Sequence, residues 1–425
     1  MLPDGWHRST LGEIARITSG GTPDRGEAAY WGGEVPWVTT GEITFNTIID
    51  TREKITEAGL KNSSAKLFPA GTLLMAMYGQ GKTRGQVAKL GIEAATNQAC
   101  AAILFGEEHD TDFFFQYLTS QYEALRELGN AGTQQNLNGG ILKGVPVPVP
   151  PLNEQRRISQ VISTWDQAIE AAARMLANSR LQWQGLLAAT LHLPPANPDE
   201  GSDADNGGFP PSVQPGIPNL PPTPEGWQRA PLGQHLIEVR RPVALNADQT
   251  YNLVTVKRSR GGVVLREVLT GREVKTPSQF YVHADDFLIS KRQIVHGACG
   301  LVPAELDGAV VSNEYAVLNS DGAIDLRFLR YLSETRYFQQ TCFHSSIGVH
   351  VEKMIFKTER WLKWPFNIPP LPVQHKIVEV LNAARREVAL FEAQVDKLKQ
   401  EKAALMAQLL TGKRRVRMPA AGAAP

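Results

Sequence analysis

The sequence predicts an α+β protein built as a tandem duplication: two mixed domains, each followed by one long helix, the two helices packed together as a coiled coil. Three observations predict this. One long stretch occurs twice, entered first as Pro150-Pro151-Leu152-Asn153-Glu154-Gln155 and then as Pro369-Pro370-Leu371-Pro372-Val373-Gln374. Ahead of each copy the same short motifs recur in the same order. Within each half, strand-like runs alternate with helical segments between Gly and Pro punctuation.

The long stretches read as helices by their period. From Ile377, alternate steps of four and three reach Leu381, Ala384, Val388, Phe391, Val395, Leu398, Lys402, Leu405 and Leu409, an a/d seam with one polar member. The same steps from Ile158 reach Ile162, Trp165, Ile169, Ala172, Leu176, Ser179, Trp183, Leu186 and Thr190. Asn153 offers a cap to the first helix, Pro372 suits the first turn of the second, and Gly412 suits a left-handed stop. Some 39 residues at ~1.5 Å each make a rod of roughly 58 Å. Its apolar stripe needs cover, since each buried Leu, Ile or Phe contributes about 1.5 to 3 kcal/mol. The natural partner of either helix is the other; the alternative is two helices buried in separate cores.

The rest of each half is also paired. Pro3, Gly5, Trp6, Leu11 and Gly12 return as Pro224, Gly226, Trp227, Leu232 and Gly233. Further on, Thr39 answers Thr255, Leu74 answers Leu288, Gly85 answers Gly300, Val87 answers Val302, Asn97 answers Asn313, and Tyr117-Leu118 answers Tyr331-Leu332. The organisation expected is therefore a first domain over 1–150, a helix over 151–193, a second domain over 224–371, a helix over 372–412 and a disordered tail over 413–425. Between the halves, 194–223 is rich in Pro, Gly, Asp and Asn and reads as a flexible, solvated linker.

Composition excludes several classes. A hydrophobic fraction of 42% over 425 residues is that of a globular chain, and no run approaches a membrane span. The first residues show no export signal, and Cys100, Cys299 and Cys342 form no disulfide framework or CxxC zinc pair, so a reducing cytoplasm is expected. The net charge is +1, and residues 1–150 hold 12 Lys+Arg against 16 Asp+Glu, so bulk charge makes no case for nucleic acid.

Local chemistry is more suggestive. Tyr78-Gly79-Gln80-Gly81-Lys82-Thr83-Arg84-Gly85 resembles a phosphate loop, but Ala76 stands where a Walker A glycine belongs and no helix-forming stretch follows directly. It reads better as a turn exposing Lys82, Thr83 and Arg84 to a polyanion. Gln134, Gln135 and Asn136 offer amides of the kind that pair with adenine edges. In the second half Lys257, Arg258, Arg260, Arg292 and Gln293 offer guanine and phosphate contacts, with Ser346 and His350 answering the Gln-rich turn. No catalytic motif is present: the sequence lacks Asp/Asn-Pro-Pro-aromatic, GxGxxG, GxSxG and HExxH. Glu273-Val274-Lys275 lacks the upstream carboxylates of a nuclease site.

Together, the duplicated Pro-Pro-Leu-x-Glu-Gln-x-x-Ile entry, the Gly79 to Gly85 segment followed by Thr96-Asn97-Gln98, and the Leu409-Leu410-Thr411-Gly412-Lys413 ending resemble the specificity subunit of type I restriction-modification systems. The second entry departs from the pattern with Val373 in place of Glu. The resemblance implies two target-recognition domains, each reading one part of a split double-stranded DNA site, held by an antiparallel pair of helices. It implies that Glu154, Gln155, Ile158, Ile162, Trp165, Ile169, Leu176, Gln374, Ile377, Leu381, Val388, Phe391, Val395 and Leu398 serve helix pairing and partner contact. It also implies two modification subunits and two restriction subunits as partners, which would carry S-adenosylmethionine, ATP and Mg, leaving none in this chain. Rival readings are a nucleotide-using enzyme built on Gly81-Lys82-Thr83 and a coiled-coil scaffold without a DNA role.

Overall fold

The computed structural model describes residues 2–79, 81–128, 136–194 and 209–417. They fall into two compact units, Met1–Arg174 with Glu392–Pro425, and Met175–Phe391. The division cuts through both long helices rather than at their ends, where the sequence placed its boundaries.

In the first unit the strands used below are β1 (Ala15–Ser19), β2 (Trp31–Val38), β3 (Glu53–Ile55), β4 (Leu67–Phe68), β5 (Leu73–Ala76), β6 (Val87–Leu90), β7 (Ala94–Thr96) and β8 (Cys100–Phe105). In the second they are β9 (Leu236–Glu238), β10 (Thr250–Val256), β11 (Val263–Thr270), β12 (Gln279–Tyr281), β13 (Phe287–Ser290), β14 (Cys299–Leu301), β15 (Val310–Ser312) and β16 (Tyr315–Ser320). One sheet of the first unit runs β1-β8-β5-β6 with Thr47–Ile48 added at the end, and one of the second runs β9-β16-β13-β14. The other runs β3-β2-β7-β4 in the first and β11-β10-β15-β12 in the second, where Pro242–Val243 is added beyond β12; β2–β7 and β10–β15 are parallel. A clasp closes each domain, His7–Thr10 on Pro146–Val149 and Gln228–Pro231 on Pro365–Ile368, all antiparallel. The duplication expected from scattered motifs is therefore a duplication of strand order.

Register refines the motif pairing at two neighbouring places: Met75 pairs with Val87 and Ile289 with Cys299, so Val87 is matched by Cys299, not by Val302. Ala76 N–H donates to Gln86 O and Ser290 N–H to Ala298 O, so Gly85 is matched by Gly297, not by Gly300. Both glycines are left-handed, with φ of 85° and 75°. The sequence pairing failed there because the β5–β6 connection is longer than its counterpart.

The helices are α1 (Thr111–Ser120), α2 (Tyr122–Leu128), α3 (Leu152–Thr190), α4 (Leu326–Leu332), α5 (Arg336–His344) and α6 (Leu371–Leu409). Every seam position from Ile158 to Thr190 and from Ile377 to Leu409 is buried or half-buried, so the heptad reading holds along both rods. Trp165, Ile169 and Leu176 are half-buried on α3, as are Val388, Phe391 and Leu398 on α6, while Val395 is buried. Direction is visible inside each unit. In the first, Ile158 and Ile162 at the start of α3 share a core with Met406 and Leu409 at the end of α6. In the second, Leu187 and Leu191 after the middle of α3 share a core with Ile377, Val378 and Leu381 at the start of α6. The pair is antiparallel.

Lys402, the polar seam member, is paired to Asp166, whose other oxygen accepts from Gln116 at 3.2 Å. Reversing the charge as Lys402→Glu is expected to cost roughly 1 kcal/mol, and adding Asp166→Lys to recover most of it, in a double-mutant cycle read by thermal melting.

Two segments expected to be solvated are packed instead. Of the linker 194–223, residues 195–208 lie outside the described residues, but Val213 is fully buried and Leu220 packs on the second core. Phe209 meets Phe343 edge-on at 5.6 Å, and Asn367 Nδ2 donates to Pro221 O at 3.0 Å. Composition misled because Phe209, Val213 and Leu220 suffice to hold a Pro-rich strand on a ready surface. In the tail, 418–425 are likewise outside the described residues, but Val416 packs on the first core and Arg415 is ion-paired to Glu154.

Candidate nucleic-acid interface

The start of each long helix is a buried polar joint. Gln155, 1% exposed, donates to Pro150 O at 2.8 Å and accepts from Asp110 N at 2.8 Å. Gln374, 0% exposed, donates to Pro369 O and Ala323 O at 2.9 Å each and accepts from Asp325 N at 2.8 Å. Asp110 and Asp325 are the caps of α1 and α4. Each glutamine thus ties a long helix to its own domain, and the side chains expected to face partner proteins are consumed internally. Glu154 is also internal: both oxygens take Arg415, at 3.1 and 2.6 Å, and one takes Trp6 Nε1 at 3.1 Å. Val373 replaces it in the second copy on an exposed site, and there Trp227 packs edge-on to His192 at 5.3 Å.

The Gly-rich turn joins β5 to β6. Gly79 and Gly81 adopt φ of 139° and 91°, conformations open to glycine. Arg126 Nη2 donates to Gly81 O at 2.7 Å and Tyr122 hydroxyl donates to Lys82 O, so α2 grips the turn by its carbonyls. Lys82 is exposed and Thr83 half-buried, as expected of a contact surface. Arg84 is not: it is 7% exposed, with Nη2 donating to Arg126 O at 3.3 Å. A strand rather than a helix follows the turn, which removes the geometry of a phosphate loop. Asn136 is half-buried, and Gln134 and Gln135 lie outside the described residues.

In the second domain the corresponding connection, Lys291 to Ala298, gathers most of the residues singled out in the sequence. Ser259 N donates to His296 O at 2.8 Å and Arg260 N to Gly297 O at 2.9 Å, bringing the 257–262 turn against it. Phe356 N donates to Lys291 O at 2.8 Å, bringing in the 346–356 hairpin. Lys257, Arg258, Arg292 and His350 are exposed; Gln293 and Arg260 are half-buried. Arg258 pairs with Glu352 at 3.0 Å and Arg292 with Glu314, solvent-facing pairs worth little and readily exchanged for a phosphate. Arg260 turns inward, donating to Ser333 O at 2.9 Å with Glu334 at 3.5 Å. Ser346 is 9% exposed and its hydroxyl donates to Cys342 O at 2.8 Å, so it fastens the hairpin and is not an exposed contact.

His296, which in the sequence reads as an ordinary surface or hydrogen-bonded residue because a lone histidine carries no spacing signal, is hydrogen-bonded within this cluster. It occupies the position of Arg84, is 1% exposed, and bridges Ser212 Oγ at 2.8 Å to Glu352 at 3.2 Å. Burial and the nearby Arg258 hold its imidazole below the ordinary range against the pull of Glu352. The two equivalent turns differ in length and in side chains: Lys82 faces solvent where Ile294 is buried.

Among the described residues no group of three or more His, Cys, Asp and Glu is placed to hold a metal ion, and no helix is long and apolar enough to cross a membrane. The three cysteines are buried thiols, Cys299 pushed up to about 12 by burial and Cys100 and Cys342 also pushed up by it. They are poor nucleophiles.

Comparison with known proteins places this architecture. Residues 3–177 match the family described as type I restriction modification DNA specificity domain. The chain is 29% identical over 174 residues to the type I restriction enzyme MjaIX specificity subunit of Methanocaldococcus jannaschii, and 26% identical over 165 residues to the EcoR124I/EcoR124II specificity subunit of Escherichia coli. These matches cover 40% and 37% of this chain and 40% of each relative. Among solved structures, the type I restriction-modification S subunit from M. genitalium superposes with a TM-score of 0.56 at 14% identity, over 96% of this chain and 98% of that one. A chain from a type I restriction-modification assembly superposes with 0.54 at 17% identity, over 97% and 100%. Residues 3–177 thus match a type I restriction modification DNA specificity domain, and the duplicated domains with their antiparallel helices share the fold of the solved S subunits.

Proposed function

We propose that this chain reads a bipartite, asymmetric site in double-stranded DNA, one half through each domain, and scaffolds the subunits that act on it. Those partners are two modification subunits, carrying S-adenosylmethionine, and two restriction subunits, carrying ATP and Mg. The chain itself is a binding module. One observation supports the reading above the others: the two domains repeat one strand order, yet the equivalent connections differ in length and in what they expose, Lys82 with half-buried Thr83 in one and Arg292 with half-buried Gln293 in the other. Equal frames meet a duplex in the same manner, and unequal side chains select unequal sequences. The few exposed cations suit this role, since partner subunits supply further phosphate contact.

Selection from a pool of randomised duplexes by the chain assembled with its modification subunits tests the reading. It is expected to enrich two short defined runs separated by an unread gap. Enrichment of no sequence, or of one uninterrupted palindrome, overturns it.

A further inference from the structure

The hairpin made by Ser346–Ile347 and Ile355–Phe356 holds an apolar tip out in water. Val349 is 95% exposed, Ile347 45% and Ile355 39%. Exposed apolar residues on loose loops carry little meaning, but this hairpin is fastened along its length. Ser346 pairs with Phe356 and Ile347 with Ile355, Phe356 is buried, and Lys357 N donates to Ser345 O at 2.9 Å. Near the tip Lys353 N donates to His350 O at 2.8 Å and Met354 N to Val351 O at 3.2 Å. A Cβ on Gly348 would lie 2.8 Å from Met354 Cα, so the turn closes tightly around that glycine. Exposed cations flank the hairpin: Lys353 within it, Arg258 on its Glu352, and Arg292 next to Lys291, whose carbonyl takes Phe356 N at its base.

A stiff two-stranded ribbon with an apolar end and a cationic surround has the shape and charge to enter a DNA major groove. The only apolar group that base edges present there is the 5-methyl of thymine. We propose that Val349 packs on a thymine methyl in the second half-site and so is a specificity-determining residue. This rests on the DNA-reading function proposed above.

The test uses the full chain assembled with its modification subunits and duplexes in which each thymine of the selected site is replaced in turn by uracil, which lacks only that methyl. One uracil in the second half is expected to slow methylation about fourfold, the worth of one buried methyl. Val349→Ala should abolish the thymine preference at that position and leave every position of the first half unaffected. A second half-site without thymine, or thymine preferences that Val349→Ala leaves intact, overturns the proposal while the DNA-reading function stands. Absence of any sequence preference in the unaltered chain overturns both. Val349 makes no buried contact to lose, so the variant should fold.

Discussion

Exchanging residues 1–150 for the equivalent domain of a type I specificity subunit is expected to change one half of the recognised site and leave the other half unaltered. Each domain has cores of its own: Leu73, Ile103 and Phe114 belong to the first unit, Phe287, Leu318 and Phe328 to the second. The joint tolerates exchange because Gln155 reaches only backbone groups of its domain, Pro150 O and Asp110 N. An incoming domain must offer those two groups and an apolar face for Ile158 and Ile162. Trp6 adds a side-chain requirement, its indole N–H on Glu154, so an incoming domain should bring a donor there. The measurement is the methylated motif before and after exchange, and a change in both halves would contradict independent reading heads.

Gln374→Leu is expected to be the most damaging single substitution at the helix joints, lowering stability by about 3 kcal/mol or more. It leaves Asp325 N–H, Ala323 O and Pro369 O without their partner at a fully buried site, and each such loss costs about 1 to 3 kcal/mol. Gln374→Glu should also be damaging, since a buried carboxylate keeps the bond from Asp325 N but faces Ala323 O and Pro369 O with no hydrogen to donate. Val373→Glu, one residue away on an exposed surface, should stay within about 0.5 kcal/mol. Denaturant midpoints decide; a Gln374→Leu cost below about 1 kcal/mol would mean the joint is not structural.

The rods, their seam and the doubling of the domain were legible because hydrophobic period is a local property, and every seam position predicted from Ile158 and Ile377 faces inward. Direction was not legible, since a linker of that length serves either arrangement; the buried neighbours of Ile158 and Leu381 decide it. Side-chain purpose was harder still. Gln155, Gln374, Arg84 and Ser346 are polar residues in turn-like or helix-entry sequence, which reads as surface, yet all four are spent on buried hydrogen bonds within their own domains. Of the exposed candidates that remain, Lys82 and Arg292 lie on equivalent connections, and Lys257, Arg258 and His350 lie on turns packed beside the second of them. Residues 209–223 were misjudged by average composition, which is blind to three apolar anchors at useful spacing.

The most direct test of two unlike reading heads on one chain is sequencing of methylated bases in cells carrying the modification subunit with and without this chain. A split, asymmetric motif present only when both are expressed is the predicted result. New methylation at a continuous palindrome, or none that depends on this chain, would contradict it.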